Sequence, residues 1–141
     1  MKRSSIIFIT AILAIVFASF AFAQGGPGQG MPNYDLRTEA TVQGTIEDVQ
    51  QHAGKHGWMG THIILKTSAE SLEVHVGPSS YIAEKQFSFA KGDSLSIVGS
   101  RVTIDGKPAL IAREITKGGK VLTLRNASGI PLWSRGGRAS N

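Results

Sequence analysis

The stretch that decides the fold is LEVHVGPSSYIAEKQFSFAKGDSLSIVGS, residues 72–100. Apolar and polar residues alternate over 72–76, which predicts a β-strand with one buried face. A Gly-Pro pair ends this strand, and either Ser79 or Ser80 is suited to cap a short helix that runs to about Phe87. A second alternating run over 94–104 follows a Lys-Gly-Asp turn. The segment therefore predicts a strand, a short helix and another strand.

Two further strands are predicted before this segment. Glu39–Val49 is the predicted first strand, with Ala40, Val42, Gly44, Ile46 and Asp48 on one face. Gly44 inside it indicates a bulge or a sharp bend, as small barrels require. Thr61–Thr67 is the predicted second strand, and a short turn joins it to the third. The glycine-rich stretch Gln51–Gly60 is predicted to form the loop between the first two strands.

Two more strands are predicted after the fourth strand. Asp105-Gly106 is a strong two-residue hairpin signal, followed by a fifth strand over Pro108–Thr116 and a short sixth over Val121–Arg125. A helix between the third and fourth of five strands is the order of the OB-fold. We therefore predict an all-β protein with small α content: a five-stranded OB-fold-like Greek-key barrel with one short helix and an extra C-terminal strand. Another small barrel or a β-sandwich is the alternative.

The ends of the chain have a different composition. Two basic residues, the apolar run Ile6–Phe22 and a final Ala-x-Ala predict a cleaved secretory signal; a retained anchor is the alternative. The predicted domains are a signal peptide (1–23), a flexible Gly/Pro linker (24–36), the barrel (37–133) and a flexible basic tail (134–141). We expect a periplasmic or secreted protein with no stable membrane span after cleavage. It has no cysteine, so disulfides and thiolate sites are excluded.

The charge is uneven along the chain. Residues 35–115 hold ten acids and eight bases, a net charge of −2, whereas residues 116–141 hold five bases and no acid. A basic tail is suited to contact anionic surfaces, although such tails are more often simply solvated. The negative charge of the barrel argues against a nucleic-acid groove. The expected partner is therefore an envelope protein or a small ligand.

The histidines are the main candidates for chemistry. His52, His56 and His62 fall within eleven residues, and His75 lies on the predicted third strand. If a two-residue turn joins strands two and three, His62 opposes His75; with a four-residue turn the two are diagonal. Opposed residues have Cβ atoms about 4.5–5.5 Å apart, close enough to share Cu, Ni or Zn. The pair His62 and His75 is the stronger metal candidate, with His52 and His56 as additional ligands.

Other residues are candidates for a ligand surface. Lys55, Trp58 and Met59 lie in the predicted first loop, which helps form the ligand face of OB-folds, and Glu73 neighbours the two strand histidines. The alternatives are solvated loop residues, a strand histidine bonded to a carbonyl, and Trp58 packed over the barrel end. No nucleophile elbow, phosphate loop or close carboxylate pair is present, so we expect no enzymatic activity and no catalytic residue.

The chain resembles a family of small exported bacterial proteins. The resemblance covers roughly residues 40–133 and rests on GTHIILKT (60–67), LEVHVGP (72–78), KGD (91–93) with VGSRVT (98–103), DGKPALIARE (105–114) and LTLRNASGIPLW (122–133). Members are likened to the magnetosome proteins MamS and MamX or to periplasmic bacterial OB-fold proteins. The resemblance implies an OB-fold behind a signal peptide and carries over no catalytic residue. The haem-binding Cys-x-x-Cys-His motif of MamX is absent here, so no haem is expected.

Composition, fold and resemblance together predict a function class. We expect a non-enzymatic periplasmic OB-fold module that binds a protein, a peptide or a small ligand. The first alternative is a periplasmic protein that binds a divalent metal through its histidines. The second is oligonucleotide binding, which the fold supports and the charge opposes.

Overall fold

The computed structural model describes residues 33–54 and 57–134. The signal peptide, most of the linker, Lys55, His56 and residues 135–141 lie outside this part. A 3-10 helix (Leu36–Thr38) precedes the first strand. The remaining elements are β1 (Glu39–Ala53), β2 (Met59–Lys66), β3 (Ser71–Pro78), α1 (Ser79–Glu84), β4 (Ser94–Ile104), β5 (Lys107–Lys117) and β6 (Lys120–Thr123).

The strands form a closed barrel. Their order is β3-β2-β1-β4-β5-β6, and β3 also pairs with β5 in parallel, from Glu73–Ala109 to His75–Ile111. This second pairing closes β1–β5 into a five-stranded barrel, while β6 extends β5 as an extra strand. The helix α1 connects β3 to β4. The predicted OB-fold barrel is confirmed, and the sandwich alternative is wrong.

Strand β1 bends and pairs with two different strands. Its first half pairs with β4 from Glu39 to Thr45, and its second half pairs with β2 from Thr45 to Ala53. A side chain at Gly44 would collide with the backbone carbonyl of Lys66, so only glycine allows this close approach. The register shifts between Ile46 and Asp48, just after the glycine. The bend predicted at Gly44 is therefore present, with the bulge slightly further along.

The first loop is shorter than predicted. Strand β1 continues to Ala53, where the sequence pattern ended it at Val49, because the ladder with β2 runs on to the pair Ala53–Met59. The Gly54 N–H then donates to the Trp58 carbonyl at 2.8 Å and closes the hairpin. His52 consequently lies on a strand. Its prediction as a loop residue was wrong, because period-2 alternation gives no signal in this polar stretch.

The helix begins differently from the prediction. Its N-cap is Pro78, and no side chain caps it. The Ser79 hydroxyl instead donates to the Gln51 side chain and contacts the Thr61 hydroxyl at 2.9 Å. Ser79 thus joins α1 to the β1–β2 hairpin, and its predicted capping role was wrong. The strands are closer to the prediction: β4 has the predicted bounds, and β2, β3, β5 and β6 differ by at most two residues at either end.

The N-terminal segment belongs to the domain earlier than predicted. The Tyr34 hydroxyl donates to Glu39 at 2.5 Å, and Glu39 accepts two 2.9 Å bonds from Arg113 on β5. The Asp35 N–H donates to the buried Ser100 hydroxyl at 3.1 Å. Tyr34 and Asp35 are thus held by the barrel, and placing them in the linker was wrong. The sequence pattern missed this because the contacts depend on Ser100 and, through Glu39, on Arg113, which are distant in sequence.

The C-terminal segment packs on the barrel beside the N-terminal segment. The Trp133 ring lies against Gly77, where an added Cβ would approach it to 2.8 Å, and its centroid is 5.5 Å from that of Tyr81. The Arg125 guanidinium lies over both Trp133 and Tyr34. These contacts join the two end segments.

The barrel interior is apolar. The inward-facing side chains of β2 and β3 are all fully buried: Ile63, Leu65, Leu72, Val74 and Val76. They pack with Ile46 of β1, Ile97 of β4 and Leu110 of β5. Within the described ranges, no helix is long and apolar enough to cross a membrane.

Candidate metal centre on the outer face of the barrel

His62 and His75 are direct neighbours across β2 and β3. The register pairs them, and the Thr67 N–H donates to the Glu70 carbonyl at 2.8 Å in the connecting turn. The two-residue turn of the two predicted alternatives is thus the one present. The imidazole centroids are 4.0 Å apart, with ring planes inclined by 43°. Both side chains lie on the face opposite the core residues Ile63 and Val74.

Glu73 completes a group of three donors. Its Oε1 accepts from His62 Nδ1 at 2.9 Å and lies 3.3 Å from His75 Nε2. One ligand atom from each of the three residues lies within 4.8 Å of the others, and no other such group occurs among the residues that the structure describes. Glu73 precedes His75 by two positions, so both side chains leave β3 on the same face.

His75 is unusual because it is buried without hydrogen bonds. The residue is only 6% exposed, and neither ring nitrogen has a hydrogen-bond partner. The contact with Glu73 is within reach, but its angle is unsuitable for a hydrogen bond. β3 lies between β2 and β5, so His75 sits between His62 on one side and Ile111 on the other. A partly buried face of this kind would normally carry an apolar side chain.

Burial also sets the charge of His75. Its pKa is lowered from 6.5 to about 4, mainly by desolvation and to a smaller extent by nearby His62, while Glu73 opposes the shift. Because the charged form is disfavoured, the ring is neutral at neutral pH. A neutral imidazole is the form that binds metal ions. His75 therefore offers a preformed lone pair inside the protein.

His52 is added to this cluster by the fold. It pairs with Gly60 on β2, and its ring stacks on His62 with centroids 4.3 Å apart and planes inclined by 26°. His62 pairs with Gln50, so the His52 ring reaches it diagonally across the two strands. Three imidazoles thus lie in a row over β1, β2 and β3. The sequence pattern ended β1 before His52, so this contact becomes apparent only from the continued pairing of β1 with β2.

The remaining candidates lie at the tip of the β1–β2 hairpin. The Trp58 ring lies over Gly54 and Gly60, and 48% of the residue is exposed. It therefore covers its own hairpin, where the sequence pattern suggested the barrel end. Met59 is 42% exposed. Neither belongs to the three-donor group, and Lys55 and His56 lie outside the described residues.

The donor set suits a divalent transition-metal ion. Two ligands at about 2.05 Å in tetrahedral geometry are about 3.3 Å apart, close to the 2.9 and 3.3 Å separations that Glu73 makes here. Imidazole suits Zn, Cu and Ni, and a carboxylate is an accepted third ligand. Three protein ligands leave a coordination position open. Glu73 has 38% of its side chain exposed and His62 has 16%, so the open side faces solvent.

Comparison with known proteins gives a family and two similar folds. Residues 38–122 match a family model described as the MamS/MamX magnetosome protein family. The second OB-fold domain of replication protein A from Methanococcus maripaludis is 16% identical, with a TM-score of 0.45, over 64% of this chain and 99% of that one. A mitochondrial single-stranded DNA binding protein from S. cerevisiae is 10% identical, with a TM-score of 0.41, over 61% and 96%. No curated protein sequence matches the chain.

Proposed function

The chain belongs to the MamS/MamX magnetosome protein family, and on that premise we propose that it is an exported, non-enzymatic OB module that binds a divalent transition-metal ion. The ligands are His62, Glu73 and His75. The family and the barrel support a binding module, and the donor group supports the ion as its ligand. Zinc, nickel and copper are the metals that this donor set favours.

The observation that carries the proposal is the state of His75. A buried polar group normally has a hydrogen-bond partner, and leaving one without a partner costs about 1–3 kcal/mol. Here both nitrogens of one imidazole lack partners, beside a second imidazole and a carboxylate. An ion bound to His75 gives one of these nitrogens a partner and uses the two neighbouring donors as well. One of the two unpaired nitrogens then has a function as a metal ligand. A purely structural role for His75 would give neither nitrogen a function.

The position on the fold supports the same interpretation. The outer face of strands two and three, together with the loop between strands one and two, is the surface on which OB-folds bind their ligands. His62, Glu73 and His75 lie on that face, and the β1–β2 hairpin stands at its edge. Haem is not the proposed ligand, because the chain has no cysteine with which to attach it covalently.

Calorimetric titration tests the proposal. Zinc, nickel and copper are titrated into the purified protein at pH 7.5, with magnesium as a hard-cation control. We expect one ion per chain for at least one of the three metals, with a dissociation constant below about 10 μM, roughly −7 kcal/mol. Both His62→Ala and His75→Ala should weaken binding by at least about tenfold.

Glu73→Gln has a matched control in Glu84→Gln, an exposed carboxylate on α1. The first should weaken binding and the second should leave it unchanged. The proposal is wrong if no metal binds below that limit, or if the two histidine variants bind as tightly as the unmodified protein.

A further inference from the structure

We propose that His52 is the entry ligand of this centre: it captures the ion at the surface, passes it to His62 and is not a ligand in the final complex. This inference rests on the proposed function and concerns how the same site is loaded. It goes beyond the donor group itself, because His52 is not one of the three residues whose ligand atoms lie together.

The first argument is a gradient of burial along one row of rings. His52 is exposed, the His62 side chain is 16% exposed and that of His75 is 7%. The centroid separations are 4.3 Å for the outer pair and 4.0 Å for the inner pair. An ion arriving from solvent meets His52 first. His62, the middle ring, contacts both the outer histidine and the buried one.

The second argument concerns which nitrogen of the His52 ring carries the hydrogen. Gln50 donates from Nε2 to Asp48 Oδ2 at 3.0 Å, and a carboxylate can only accept, so the amide oxygen must face the other way. That oxygen lies 3.2 Å from His52 Nε2. Since an amide oxygen also only accepts, Nε2 carries the hydrogen. In the neutral ring Nδ1 then holds the free lone pair, so the Asp48–Gln50 pair prepares His52 to bind a metal.

The third argument is freedom of movement. His52 is held by a single 3.2 Å hydrogen bond and by stacking, on the exposed end of a hairpin. His62 is bonded to Glu73, and His75 is enclosed by its neighbours. Exposed side chains change rotamer within picoseconds to nanoseconds. His52 can therefore turn toward solvent and back, while the two inner histidines keep their positions.

The kinetic consequence is specific. A group that binds the ion only in transit lowers the barrier equally for entry and for exit, because both directions pass through the same intermediate. Removing it should slow association and dissociation by the same factor and leave the dissociation constant unchanged. A permanent fourth ligand would behave differently, since its loss speeds dissociation and weakens the equilibrium.

Stopped-flow mixing with nickel measures both rates. Tryptophan emission reports binding, because Trp58 lies over Gly60, the residue that pairs with His52. For His52→Ala we expect the association and dissociation rate constants both to fall by about tenfold, which corresponds to 1.36 kcal/mol in the barrier. The dissociation constant should stay within about twofold of that of the unmodified protein. Gln50→Ala should give a smaller slowing. Gln43→Ala, an exposed residue on the same strand, is the matched control and should change neither rate.

The outcomes separate this inference from the proposed function. If His52→Ala leaves both rates unchanged while His62→Ala abolishes binding, the metal centre stands and the entry role of His52 is refuted. The entry role is equally refuted if His52→Ala raises the dissociation rate and weakens the equilibrium, since His52 is then a resident ligand. If nickel does not bind to the unmodified protein but zinc or copper does, the same rates are measured with that metal. If none of the three binds, both proposals fall.

Discussion

Replacing His75 by leucine should make the metal-free protein more stable. The side chain is 6% exposed and neither nitrogen has a hydrogen-bond partner, so the folded state contains polar atoms that have lost water without compensation. An unsatisfied buried group costs about 1–3 kcal/mol, and leucine has a similar volume without polar atoms. The expected gain in the free energy of unfolding for His75→Leu is therefore about 1–3 kcal/mol. In a domain of this size, that corresponds to a rise in Tm of roughly 5–15 °C.

The assay is urea unfolding at pH 7.5 with EDTA, followed by tryptophan emission. His62→Leu is the control, because His62 donates to Glu73 at 2.9 Å and has no unsatisfied burial to relieve. We expect this control to be neutral or destabilising. Addition of zinc at about 100 times the dissociation constant should stabilise the unmodified protein by about 2.7 kcal/mol and leave His75→Leu unchanged.

A loss of more than about 1 kcal/mol in metal-free His75→Leu would refute this reasoning. It would mean that the His75 nitrogens are satisfied in solution, so that the ring is an ordinary structural residue. His75→Leu is thus predicted to raise the stability of the metal-free protein and to abolish metal binding. A histidine that served only in packing, or one that was simply exposed, would not give this combination.

Three further predictions concern pH, the bend in β1 and the C-terminal segment. The pKa of His75 is lowered to about 4 from an ordinary 6.5, so on acidification the unfolded chain takes up the proton before the folded protein does. The free energy of unfolding of the metal-free protein should therefore fall by up to about 3 kcal/mol as the pH drops from 6.5 to 4. Urea unfolding at a series of pH values measures this loss, and His75→Leu should lack it. Gly44→Ala places a Cβ against the Lys66 carbonyl and should cost at least about 2 kcal/mol in urea unfolding, whereas Gln43→Ala should cost under about 0.5 kcal/mol. Trp133→Ala removes the ring that lies on Gly77 and packs with Tyr81 and should cost about 3 kcal/mol; a loss under about 1 kcal/mol would show that the C-terminal segment contributes little to the fold.

The element order could be predicted because it depends on local periodicity. Apolar and polar residues alternate over 72–76 in β3, and the Asp105-Gly106 hairpin signal lies where the turn between β4 and β5 occurs. At Asp105-Gly106 both residues have positive φ, 51° and 75°, as the tight hairpin turn requires. The direct pairing of His62 with His75 was one of two predicted registers, because the sequence left the length of the connecting turn open. These features need no information from distant parts of the chain.

Features that depend on distant partners could not be predicted. The contact of Tyr34 with Glu39 and of Glu39 with Arg113 joins three segments that no periodicity connects. The position of His52 was missed because the end of β1 is polar and is held by its ladder with β2 rather than by an apolar face. The exposure of a strand residue likewise depends on which strands flank it, and the sequence pattern alone does not specify these neighbours.

The burial of His75 shows why this matters for function. In an open sheet β3 would be an edge strand, and its outward side chains would be solvated on the unpaired side. The parallel pairing with β5 places Ile111 directly beside His75 and closes that side. Barrel closure therefore removes water from the imidazole, lowers its pKa and leaves its nitrogens without partners. The same closure leaves Glu73 partly exposed and thus keeps a route to solvent. We infer that the three-donor group is a product of the closed topology: the two histidines and the glutamate are local in sequence, and their pairing partner β5 turns a solvated cluster into the partly buried group of the proposed site.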